Sequence, residues 1–176
     1  MSDNFEPLLR NLTPEAAKNY MIPIDVQGDW VCFKNPHYPP NSTSGVEGRM
    51  NTQGQSCYYA ASGVECAQAE VPNWTDRDLY QINPHRIHAF DLPQFARDNN
   101  CEDEFLKSKE EDGYAVCQSL ASHLNNQVAV TGVLYSSYQS YRQGTSGLCL
   151  ALFPESGQLV GDTYFIKDEC GPKQEG

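Results

Sequence analysis

Seven short apolar or alternating runs constrain the fold of this chain more than any other feature: DWVCFK (29–34), CYYA (57–60), DLYQI (78–82), RIHAFDL (86–92), VAVTGVLY (128–135), GLCLALF (147–153) and DTYFI (162–166). Their lengths and their content of β-branched and aromatic residues suit half-buried or fully buried strands. Helical patterns are fewer. Thr13 offers a hydroxyl to free amides and Pro14 occupies a first-turn position, which predicts a helix ending near Tyr20. Ser62-Gly63-Val64-Glu65 has the spacing of a capping box, opening a helix from Gly63 to Val71 that Pro72 stops. DGYAVCQSLASHLNN (112–126) predicts a third, with Tyr114, Cys117, Leu120, Ala121 and Leu124 on one face. Strands that outnumber helices and alternate with them irregularly specify an α+β fold, a mostly antiparallel twisted sheet with flanking helices.

Two polar stretches interrupt this pattern without separating two cores. HYPPNSTSG (37–45) is a turn-rich loop, and NNCEDEFLKSKEEDG (99–113) is an exposed loop or short helix. A single domain is expected.

Charge and cysteine content exclude several function classes. Twelve basic against twenty-three acidic residues give a net charge of −11, so no global basic field exists to attract nucleic acid or an anionic membrane. The seven cysteines form no CxxC pair and no short cysteine–histidine spacing, which predicts buried thiols and no metal site. With no run of about 20 apolar residues and no secretion signal at the start, a soluble, cytoplasmic chain is expected.

The stretch GRMNTQGQSCYYAASGVECAQAEV (48–71) concentrates the candidate chemistry. On a strand Tyr58 and Tyr59 point to opposite faces, so one can meet a ligand while the other packs in the core. Val64, Ala67 and Val71 form an apolar stripe on the following helix, with Glu70 beside it near the carboxyl end, where the helix dipole disfavours a carboxylate. From spacing alone, Glu70 suits a solvated surface as well as a site.

Together with GVLYSSYQSYRQGTSGLCLALF (132–153) and CQSLA (117–121), this stretch resembles the RES-domain family, named for its arginine, glutamate and serine. The resemblance implies an N-terminal helical extension over 1–28, a RES-like catalytic domain over 29–166 and a tail over 167–176. It implies a fold similar to ADP-ribosyltransferase toxins of the diphtheria type. The implied activity is an NAD-consuming toxin that breaks the nicotinamide–ribose bond by hydrolysis or phosphorolysis. The acceptor stays open, and transfer of ADP-ribose to a protein is the alternative. NAD is then the substrate, no metal is required, and the implied partner is a cognate antitoxin or immunity protein. Carried over residue by residue, the family's positions fall on Arg49, Tyr59, Glu70 and Ser137. Where many members have an arginine in the first strand, this chain has Lys34, with His37 and Arg142 as possible contributors. Gln118 recurs where members often have glutamine and reads as a structural hydrogen bond.

Each residue type matches a demand of that chemistry. A carboxylate near the developing ribosyl cation stabilises the transition state more than the ground state, the role implied for Glu70. An arginine neutralises pyrophosphate with several donors in fixed geometry, the role of Arg49, with Lys34 as a point charge. A tyrosine face stacks on the flat nicotinamide, the role of Tyr59, and Ser137 offers a donor. Two other readings compete: a cysteine hydrolase using Cys57 or Cys66 with a histidine, and a non-catalytic acidic binding module.

Overall fold

The computed structural model describes residues 5–24, 29–37, 46–82, 87–153 and 165–167. Among the described residues eight strands form one sheet: β1 (Met21–Pro23), β2 (Trp30–Lys34), β3 (Tyr58–Ser62), β4 (Asp78–Ile82), β5 (His88–Asp91), β6 (Gly132–Ser136), β7 (Leu148–Leu152) and β8 (Phe165–Lys167), in the order β1-β5-β6-β7-β3-β2-β4-β8. Only β5 and β6 run parallel, and every other neighbouring pair is antiparallel. The mixed α+β architecture and the mostly antiparallel sheet are as expected. The loop at 38–45, residues 162–164 of the last expected strand and the tail beyond 167 lie outside the described residues.

Strand alternation divides the core in two. Val31, Phe33, Ala61, Val133, Tyr135, Cys149 and Ala151 face one side, with helices packed over them. Trp30, Cys32, Tyr58, Ala60, Leu134, Leu150 and Leu152 face the other. Both faces of the central strands are therefore buried, which explains why β7, LCLAL, is apolar at every position.

The helices are short. α1 (Phe5–Asn11) and α2 (Pro14–Lys18) precede the sheet, and Thr13 caps α2 by accepting a hydrogen bond from Ala16 N at 3.2 Å. α3 (Val64–Glu70) follows β3 directly. The connection from β5 to its parallel partner β6 runs through α4 (Leu92–Asp98), α5 (Glu102–Leu106), α6 (Ser108–Asp112), α7 (Ala115–His123) and one π-helical turn, Leu124–Val128. α8 (Tyr138–Arg142) links β6 to β7.

Three expectations need correction. Ser62 does not cap α3: its hydroxyl accepts from Leu148 N at 2.9 Å across to β7, and the helix turns in from Gly63, whose φ of 97° suits glycine. Glu65 is exposed and closes no capping box. Tyr114 is not on the apolar face of α7, although Cys117, Leu120, Ala121 and Leu124 are, all 1% exposed or less. It precedes that helix in a left-handed conformation, φ 74° and ψ 8°, directly after Gly113 at φ 62°. The charged stretch at 99–113 forms two helices, whose Phe105 is buried in the core. No helix among the described residues is long and apolar enough to cross a membrane.

Candidate active site

The turn at 48–51 is built from hydrogen bonds that leave little choice of residue. Gly48 N donates to Asn51 O at 3.0 Å, and Asn51 Nδ2 donates to Val46 O, Thr52 O and Gln55 O. Tyr59, reaching from β3, accepts from Met50 N at 2.9 Å and donates its own hydroxyl to Asn51 Oδ1. From the other side Gln118 Nε2 donates to Gly48 O at 2.9 Å and Glu47 Oε1 at 3.0 Å, the structural role read from sequence. A Cβ on Gly48 would lie 2.8 Å from both the Tyr59 hydroxyl and Asn51 Oδ1, so only glycine fits between them.

This turn aims Arg49 inward. Its Nη1 donates to Ser136 O at 3.2 Å, and Nη2 donates to Phe105 O and, at 3.1 Å, to Leu106 O. The guanidinium carbon lies 5.1 Å from the centroid of the Tyr135 ring. Its Nε is the one buried side-chain nitrogen or oxygen without a hydrogen-bond partner among the described residues. A buried donor left unpaired is costly, and a functional role is one physical reason for a structure to keep one.

Glu70 ends α3 half-buried, and its Oε1 accepts a hydrogen bond from the Ser137 hydroxyl. Ser137 caps α8, its Oγ accepting from Ser140 N at 3.0 Å, so the same hydroxyl that fixes the helix start also orients the carboxylate. Arg49, Tyr59, Glu70 and Lys34 all line one cavity of about 300 Å³, the lower end of the range for ligand pockets. Tyr58 packs in the opposite core, where Lys34 Nζ lies 5.8 Å from its ring centroid. Neither His37 nor Arg142 lines the cavity. Arg142 instead lies 5.9 Å from the Tyr138 ring.

The structure adds lining residues that the sequence did not single out as site residues, among them Lys109 on α6, Tyr114, Tyr138 and Gln139. Lys109 and Tyr114 sit in a segment whose charge and expected helical register hid their placement. Burial raises the Tyr59 and Tyr114 phenols, so both stay protonated donors at neutral pH. A Cys149–Cys66 hydrogen bond pulls Cys66 down to about 6, assisted by Ser140 and Ser137, and pushes Cys149 up. Burial pushes Cys57 up to about 12. Among the described residues no histidine lines the cavity, which Cys57 lines and Cys66 does not.

With this geometry in place, the comparison with known families is decisive. A family model described as RES domain matches residues 24–166. This chain belongs to the RES-domain family. A search of curated proteins found no match. In RES-domain terms, α1 and α2 precede the matched segment, yet Phe5, Leu12 and Ala17 share its core and β1 pairs with β5.

Proposed function

We propose that this RES-domain protein is an NAD-consuming enzyme that breaks the bond between nicotinamide and ribose. The observation that carries the reading is the hydrogen bond from Ser137, which itself lines a neighbouring cavity, to Glu70, which lines one cavity with Arg49 and Tyr59. In the proposed reaction the C1′–N bond breaks and its electron pair leaves with neutral nicotinamide. Glu70 stabilises the cationic ribosyl carbon, which then bonds to an oxygen of water or inorganic phosphate, with release of that acceptor's proton. Ser137 holds the carboxylate in position, so little reorganisation is needed as charge develops. Tyr59 stacks on the nicotinamide ring while its hydroxyl keeps the 48–51 turn in place. The cationic side chains of Arg49 and Lys109 offset the pyrophosphate charge in a chain that is otherwise acidic, while the Lys34 ammonium lies against Tyr58.

Family membership supports the wider reading: a toxin with an ADP-ribosyltransferase-like fold, acting in the cytoplasm and neutralised by a cognate antitoxin or immunity protein. Transfer of ADP-ribose to a protein side chain uses the same activated carbon. Incubation of the purified protein with NAD, followed by chromatographic separation of nicotinamide, ADP-ribose and ADP-ribose phosphate, tests the reaction and identifies the acceptor. Nicotinamide release is expected. NAD left intact with and without added phosphate or candidate protein acceptors would exclude the reading.

A further inference from the structure

Among the described residues three non-glycine positions have positive φ: Asn100, Tyr114 and Ala129. Asparagine tolerates that conformation, and Ala129 carries a minimal side chain at the exposed end of the π-helical turn. Tyr114 is different, because it places a bulky ring on a left-handed backbone. Its backbone has a local task. Tyr114 N donates to Ser108 O at 3.1 Å, closing α6, and Tyr114 O accepts from Gln118 N at 2.9 Å, opening α7. Glycine or asparagine would do this with less strain, so the backbone does not explain the tyrosine. What remains is the side chain, which is half-buried and lines the cavity that Arg49 and Glu70 also line.

We propose that Tyr114 is a substrate-positioning residue: its ring walls the cavity on the α6–α7 side, and its hydroxyl hydrogen-bonds sugar oxygens of the bound nucleotide. This rests on the NAD-cleaving reading above and adds to it a contact outside the site residues that the sequence singled out. Burial raises the phenol, while Arg49 draws it down and Glu70 pushes it up, so the hydroxyl lies within the field of both charged groups. An uncharged polar donor there suits the ribose hydroxyls, the uncharged polar groups between the C1′ that the carboxylate meets and the pyrophosphate that the guanidinium meets. Strain concentrated at such a position is what a binding site retains at a cost in stability.

The test compares wild type, Tyr114→Phe and Tyr114→Gly by KM and kcat for nicotinamide release and by melting temperature. Tyr114→Phe is expected to raise KM about fivefold, with kcat within about twofold and an unchanged Tm, because one hydrogen bond is lost and the ring is kept. Tyr114→Gly is expected to raise KM further without lowering Tm, since relief of the left-handed strain offsets the lost ring contacts. Wild-type turnover with unchanged KM in both variants would overturn the role of Tyr114 alone. A fall in Tm for Tyr114→Phe would show the hydroxyl to be structural and overturn it likewise. A wild type that releases no nicotinamide would overturn the NAD-cleaving reading and this inference together.

Discussion

Arg49, Tyr59 and Glu70 reach the cavity from a turn, a strand and a helix end, and each is held by a partner from another element: backbone carbonyls of 105, 106 and 136, Asn51, and Ser137. Buried thiols nearby give a pH prediction. Burial raises Cys32 from 9.0 to about 11 and Cys57 from 9.0 to about 12. In the unfolded chain these thiols ionise near 9, so their contribution to stability is intact below that pH and is lost as pH climbs toward the folded values. The urea midpoint is expected to fall between about pH 8 and about pH 10.5, and to fall less in a Cys32→Ala, Cys57→Ala variant. An equal fall in both proteins would assign the alkaline loss to other groups. At this scale the sequence revealed residue types whose chemistry is specific, Arg49, Tyr59, Glu70 and Ser137. It could not reveal Asn51, which acts only once the turn closes on it, or Tyr114, whose helical spacing concealed a backbone that leaves the helix.

The passage from β3 into α3 carries Glu70 to its place, and Gly63 governs it. A Cβ at Gly63 would meet nothing within 4 Å, so Gly63→Ala isolates the backbone penalty of a φ of 97°. With ψ at 161° this is a region open almost only to glycine, so the penalty is about 1–3 kcal/mol and lowers Tm by at least about 2–4 °C in a chain of this size. Glu65→Ala is expected to leave Tm unchanged, because the exposed side chain caps nothing. Thermal melts of the two variants separate this account from a capping-box start, for which Glu65→Ala would be the costly change. Ser62 misled because the same hydroxyl suits either a helix amide or a strand neighbour, and tertiary pairing with Leu148 decided between them. Elements with strong periodicity or uninterrupted apolar runs, α7 and β7, were legible. α5 and α6 were obscured because charged residues surround their one buried ring, Phe105.

Across the whole molecule, the N-terminal helices brace the site from behind. Phe5 is 2% exposed and packs edge-on against Phe105 with ring centroids 5.6 Å apart, and the Phe105 carbonyl accepts from Arg49. His123 meets the Leu12 carbonyl at 2.8 Å, tying α7 to the same segment. Phe5→Ala is therefore expected to cost about 3–5 kcal/mol in chemical denaturation and to weaken nicotinamide release through a displaced Arg49. Stability unchanged by that substitution would make the segment dispensable. The proposed cleavage of NAD depends on the carboxylate that Ser137 holds. Its most direct test is the single-turnover rate of nicotinamide release from saturating NAD by wild type and Glu70→Gln, matched in fold and Tm. A loss of about 10²–10³-fold with NAD binding retained is expected. A Glu70→Gln protein that releases nicotinamide at the wild-type rate would contradict it.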